Sequence, residues 1–341
     1  AEEQKVFIPE NVNVIRAFAR NTAKHLSIKG KYLSWMALPD NWQSWIVGGF
    51  FSGLKAILKD RPSVIVSTYP IASAHIIAYL LHKVTGIPWV ADFRDPMAQA
   101  DYPTDKTKKK IFEWIEKKAV KHCNNVLLTA PGAVKFYQEK FPNVDNSFWQ
   151  LVPNGFDEQM FQGIEAKTED KIPNKITLLH SGVIYPSERD PSALFQAIAE
   201  LKQEGKLNQD NFQLILRATG HDELYQEKLS SLAIVDLIQL APPIPYKDAL
   251  KEMLSVDGLL LLQEANCDYQ IPAKAYEYIR AKKPVLALTS INGDTGKLLK
   301  SAQVACITEL DKKDEIKATL IEFMEKISSR NFDFLNDETI Q

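Results

Sequence analysis

Short, largely apolar runs recur along this chain, most separated from the next by a stretch of helical spacing, and this alternation limits the fold more than any other feature. In the first half the runs fall at 63–67, 89–93, 126–129 and 148–152; in the second, at 176–180, 213–217, 237–240, 258–262, 284–288 and 304–307. A strand with one wet face alternates apolar and polar residues, whereas a run apolar throughout needs cover on both faces. Helical spacing at 42–58, 72–84, 106–123 and 131–141, then at 191–203, 223–232, 246–254, 273–281 and 295–301, supplies that cover. The order predicts an α/β protein of two doubly wound, Rossmann-like domains. Such domains facing across a cleft would place ligands at their strand ends.

The 341 residues are too many for one ordinary core. The pattern suggests a first domain over 1–160, a second over 161–310, and a helical tail over 311–341 free to cross back to the first. The polar, aperiodic stretch 163–174 reads as the hinge. Hydrophobic residues at 45% and charged residues at 25% describe a globular chain. A net charge of −2 gives no general attraction to polyanions, and no nucleic-acid module is legible. Cys123, Cys267 and Cys306 form no CxxC pair, which argues against a disulfide framework or zinc site and fits a reducing cytoplasm. No apolar run reaches the roughly 18–20 residues that cross a bilayer. The start, AEEQKVF, lacks an initiator Met and reads as processed or truncated. Before Trp42 the apolar stretches 6–8 and 12–15 are too short for a first strand, and no Gly-rich turn follows them.

Candidate site residues lie just past the strands. After the run at 258–262, a polar loop leads to IPAKAYEYIRAKKPVLAL over 271–288. Pro272 suits a helix start, whose free amides and dipole favour an anion. Lys274 in that first turn opposes the dipole, a placement that makes sense with an anion between them. Glu277 follows at i+3 on the same face, a spacing that an ordinary surface pair would share. At the end of the run 176–180, Ser181 and Gly182 permit close backbone approach, and Arg189 stands just before the next helix. In WVADFRDPM, Asp92, Arg94 and Asp95 are too charged to be buried separately, so they form an internal network or line a ligand site. Tyr69 ends the run before it and opens toward His75, which reads as a core residue on an apolar helix. The stretch from Lys106 to Lys121 carries seven lysines, with Ile111, Trp114, Ile115 and Ala119 on the other side. It suits either a solvated face or a peripheral contact with anionic lipid.

The pattern P-x-K-x-x-E-Y followed by A-x-K-P-V-L resembles the donor-binding helix of glycosyltransferase family 4, which has the GT-B fold, and the similarity extends over most of 63–307. The resemblance implies that Glu277 binds the ribose of a nucleotide sugar and that nearby loop amides hold its diphosphate and sugar. It implies that Arg189 neutralises the diphosphate, with Ser181, Gly182, Pro272 and Lys274 completing the donor site. Many members carry a second glutamate eight residues before the first, where this chain has Tyr269. Aligning on Pro88 puts Arg94 where many have a His beside the reacting sugar, so Arg94 and Asp95 are the catalytic candidates, with Asp92 and Tyr69 on the acceptor side. Val152-Pro153-Asn154-Gly155-Phe156-Asp157 resembles the family's junction turn and reads as structural. The expected activity is transfer of a sugar, with retention, to a hydroxyl of a sugar or lipid-linked acceptor, in polysaccharide or glycolipid assembly. It needs no metal or other cofactor. A nucleotide-sugar epimerase and a non-catalytic binding homologue are the alternatives.

Overall fold

The structure is a computed structural model that describes residues 8–9, 11–100, 102–166, 172–186 and 188–332. The apolar stretch at 6–8 therefore lies mostly outside the described residues. Those described divide into two compact units, the first ending at Val152 and the second beginning at Pro153, with the short return Ala130–Gly132 assigned to the second. The junction falls at the Pro153-Asn154-Gly155 turn rather than after residue 160.

In the first unit, α1 (Thr22–His25) and α2 (Trp45–Lys59) precede β1 (Ile65–Thr68), α3 (Ser73–Thr85), β2 (Trp89–Arg94), α4 (Lys106–His122), β3 (Asn125–Leu128), α5 (Pro131–Lys140) and β4 (Trp149–Leu151). The four strands are parallel and lie in sequence order. Right-handed crossovers between consecutive neighbours put their helices on one face. Trp89, Ala91, Phe93, Val126 and Leu128 are accordingly buried, while Val66, Thr68, Val90, Asp92 and Leu127 on the alternate positions stay partly or fully exposed. Among the described residues this sheet thus shows only one arm of a double winding, and no strand precedes Ile65.

Helix α4 buries Phe112, Ile115, Glu116 and Ala119. That stripe is turned from the expected one: Trp114 faces outward and Phe112 inward. Glu116 explains the turn, because its carboxylate accepts from Tyr137 Oη at 2.7 Å, Lys140 Nζ at 2.6 Å and the Ala98 amide at 3.1 Å. Paired in this way a carboxylate can sit in a core.

The second unit opens with the short α6 (Glu158–Phe161) and continues β5 (Ile176–Ser181), α7 (Ser192–Gln203), β6 (Phe212–Arg217), α8 (Asp222–Ser231), β7 (Ile238–Ala241), α9 (Tyr246–Ser255), β8 (Gly258–Leu262), α10 (Ala273–Arg280), β9 (Val285–Leu288), α11 (Asp294–Ser301), β10 (Ala305–Thr308) and α12 (Lys313–Ser328). Its six parallel strands are ordered β10-β9-β8-β5-β6-β7. This is a doubly wound sheet, and the strand order reverses between β5 and β8. Every residue of β8 and β9 is buried, as continuous apolar runs require. Helix α12 packs on α7, β9 and β10, with Ile316, Leu320 and Phe323 in the core of this unit, so Lys313–Ser328 does not cross to the first. None of the described helices is long and apolar enough to cross a membrane.

Candidate functional site

Open parallel sheets bind ligands beyond their strand ends where the order reverses. In the second unit that position is the gap between the ends of β5 and β8. Strand β5 delivers His180, Ser181 and Gly182 there. Past β8, the buried Gln263 forks its amide to the carbonyls of Cys267 at 2.8 Å and Gln270 at 3.0 Å, shaping the loop that ends at Pro272. Asn154 of the junction turn clips the Ile271 carbonyl at 3.1 Å, in keeping with a structural role for that turn. Pro272 then sits at the N-cap, one place before the helix, with an extended ψ of 139°. Ala275, Tyr278 and Ile279 bury one face of α10, and its first amides lie outside the helical ladder.

Lys274 and Glu277 sit beside that buried face. Lys274 reaches across to β5, where its ammonium donates to the Ser181 carbonyl at 2.9 Å and lies 3.3 Å from His180 Nε2. His180 is fully buried and its Nδ1 is 3.0 Å from the Leu260 carbonyl, which can only accept. Nδ1 therefore carries the proton, and Nε2 accepts from Lys274. Burial, then the neighbouring Lys274 charge, holds this imidazole neutral, well below its ordinary pKa. Gly182 has φ 120° and a Cβ there would meet Lys274 Nζ at 3.2 Å, so the backbone and the close approach both select glycine. Burial with the nearby Arg189 charge lowers the Lys274 pKa to about 7, against the pull of Glu277.

Arg189 belongs to the same cluster. Its Nη1 donates to the Val183 carbonyl at 3.0 Å and its guanidinium lies over the Tyr185 ring at 5.7 Å, which leaves other donors of the five for a ligand. Glu277 accepts from Tyr246 Oη at 2.7 Å. Burial and this bond to a carboxylate raise the Tyr246 pKa. The second unit thus gathers Ser181, Gly182, Arg189, Pro272, Lys274 and Glu277 at one sheet edge. Sequence reasoning missed His180 and Tyr246, and only the tyrosine's position just past a strand end hinted at it. Tyr269, at the position of the family's other glutamate, is exposed at 43%.

The first unit assembles its own candidates at the ends of β1 and β2. Thr68 Oγ1 donates to Asp92 at 2.8 Å, and the Tyr69 amide donates to the Asp92 carbonyl at 3.0 Å. The β2–β3 register slips between Asp92 and Arg94, and Arg94 takes φ 60°, an uncommon conformation for a residue with a Cβ. Thr129 Oγ1 donates to the Arg94 carbonyl at 2.9 Å and approaches Asp95 at 3.3 Å. Asp92, Arg94 and Asp95 are all half-buried. Burial raises the Asp95 pKa, against the pull of Thr129 and Arg94. Burial also raises that of Tyr69, which bonds Tyr102. His75 is fully enclosed, bonded to Ser67 at 2.7 Å, and burial lowers its pKa to about 3, so it is a core residue as expected.

Solved structures resemble the chain over most of its length. The Anabaena protein HepE in complex with UDP superposes with a TM-score of 0.60 at 13% identity, covering 84% of this chain and 80% of that one. Sucrose-phosphate synthase from Thermosynechococcus elongatus gives 0.64 at 12% identity, covering 87% and 76%. A Listeria monocytogenes protein assigned as a UDP-N-acetylglucosamine 2-epimerase gives 0.54 at 11%, covering 83% and 70%. The fold is GT-B. No family model and no curated protein matches the sequence. At these identities the GT-B likeness speaks to architecture, and function has to be argued from the site.

Proposed function

We propose that this GT-B protein binds a nucleoside-diphosphate sugar at the end of its second sheet and transfers the sugar to a hydroxyl acceptor. The observation that carries this reading is the Lys274 ammonium, drawn over Gly182 by the Ser181 carbonyl and neutral His180. Its binding neighbourhood of helix-start amides, Arg189 and a carboxylate on the same helix face suits a diphosphate next to a ribose. Glu277, fixed by Tyr246, keeps its second oxygen for ribose hydroxyls.

Transfer builds positive charge on the sugar while the leaving diphosphate gains negative charge. Lys274, Arg189 and the amides near Ser181, Gly182 and Pro272 stabilise the second of these without rearranging. By the family resemblance, Arg94 and Asp95 are the catalytic candidates and Asp92 and Tyr69 the acceptor-side ones. The scheme needs no metal, and the leaving phosphate assists deprotonation of the acceptor, with retention. The acceptor is a sugar or lipid-linked hydroxyl, in polysaccharide or glycolipid assembly in the cytoplasm.

The likeness to a 2-epimerase supports a second reading, and one experiment separates the two. The protein is incubated with a panel of UDP- and GDP-sugars, with and without hydroxyl acceptors. Nucleoside diphosphate released only with acceptor is the expected result. Isomerised nucleotide sugar without acceptor would make it an epimerase, and binding with no turnover of any donor would leave a non-catalytic homologue.

A further inference from the structure

Three of the four residues joining β7 to α9 are prolines. The connection reads Pro242-Pro243-Ile244-Pro245 and runs directly into Tyr246, the first residue of α9. Prolyl residues carry no N–H, so Ile244 holds the one amide of this stretch and the loop has almost nothing with which to anchor itself. The helix start adds little, because Pro245 at the N-cap makes no side-chain bond. Tyr246 is 40% exposed, so packing alone does not fix its ring. Its Oη is nevertheless the group that orients Glu277.

Arg217, the last residue of β6, supplies donors from outside the loop. Its Nη1 donates to the Pro242 carbonyl at 2.6 Å, while Nε and Nη2 take the two carboxylate oxygens of Glu252 on α9, the second at 2.6 Å. The fork thus grips the chain four residues before Tyr246 and six after it. At 13% and 19% exposed, this is the most enclosed ion pair among the described residues of the second unit. A pair so enclosed gains little net stability over apolar side chains of its size, so its geometry is what distinguishes it. The Arg217 carbonyl also accepts from the Gly182 amide at 2.9 Å, which places the clamp beside the candidate diphosphate turn.

We propose that Arg217 is a positioning residue of the donor site, its three-way clamp holding Tyr246 against Glu277 and so setting how tightly the ribose of a nucleoside diphosphate is gripped. This rests on the reading of Glu277 as the ribose ligand. With Nε, Nη1 and Nη2 all engaged inside the protein, Arg217 acts through Tyr246 rather than on the ligand. Released from the clamp, the loop and the first turn of α9 gain freedom, and Glu277 without its tyrosine samples rotamers that face away from the ribose. The phosphate contacts of Lys274 and Arg189 do not run along this path and stay as they are. Lysine cannot replace the fork, because a single ammonium does not span both oxygens of a carboxylate and a carbonyl besides.

The test is calorimetric titration with UDP and GDP and with their 2′,3′-dideoxy forms, which lack the hydroxyls that Glu277 would bind. The wild type should prefer the ribose form by roughly tenfold or more, and Glu277→Ala should bind both forms alike. Arg217→Lys, which keeps the backbone contact to Gly182, should bind the ribose form about fivefold more weakly and the dideoxy form within roughly twofold of wild type. Tyr246→Phe should reproduce that pattern, and adding Arg217→Lys to it should change nothing further. Glu252→Gln carries the same test with the arginine in place, should Arg217→Lys fail to fold. Wild-type discrimination in the clamp variant, or equal weakening toward both forms, overturns the inference and leaves Glu277 in its role. Wild-type discrimination in Glu277→Ala, or no binding of either nucleotide by the wild type, overturns the ribose reading itself and the inference with it.

Discussion

Replacing Lys274 with methionine should weaken nucleoside-diphosphate binding by about 1.5–3 kcal/mol, roughly 10- to 150-fold, because a charge-assisted contact is lost. Methionine keeps the length of the stem, so the effect reads the ammonium. The folded state should change little. His180 Nε2 and the Ser181 carbonyl lose their donor, but the protein no longer has to desolvate an ammonium. The pH dependence gives a second readout. In the empty site the Lys274 pKa is lowered to about 7 by burial and by Arg189. Below that pH the ammonium is already charged; above it, each bound diphosphate must bring a proton with it. For a nucleotide sugar, whose phosphates do not titrate in this range, affinity should therefore fall as pH rises, by roughly tenfold from pH 6 to pH 8. Calorimetry in buffers of different ionisation enthalpy measures this proton uptake directly. Lys274→Met should show neither the uptake nor the slope, and a variant that kept both would assign the titration to another group.

Phe323→Ala should produce the largest loss of stability. Its ring is fully buried, and a Cβ on Gly258 would come within 2.8 Å of it, so α12 is seated on the bare backbone of β8. The resulting cavity should cost about 3–5 kcal/mol, a large share of the roughly 5–15 kcal/mol that holds an ordinary domain folded. Hydrogen exchange followed by mass spectrometry should show lost protection in β8, β9 and α7 with β2 unchanged. Loss of protection in β2 instead would mean that α12 stabilises the first unit.

The parts of the fold legible in the sequence are those whose environment is uniform. β8 and β9 are apolar at every position because both faces are covered, and runs as short as GLLLL and VLAL between helical stretches read as central parallel strands. Pro272, Lys274 and Glu277 were legible because one helix turn sets their spacing. Tyr246 was not: it meets Glu277 across 31 residues, and a lone tyrosine past a strand end has many other uses. His180 looked like the last apolar-strand residue, and only the fold supplies the Leu260 carbonyl and Lys274 that fix its tautomer. On α4, a lysine-rich helix with two competing apolar stripes left the burial direction open, and the deciding partners, Tyr137 and Lys140, come from α5. In the first unit the four strands end their series at β1, so the winding expected there is only partly present among the described residues.

Titration of the wild-type protein and Glu277→Ala with UDP and GDP tests the central claim most directly. The account predicts saturable binding of at least one nucleoside diphosphate by the wild type and at least tenfold weaker binding by the variant, with matching melting curves for the two free proteins. Equal affinity in both, or no binding of either nucleotide by the wild type, would contradict it.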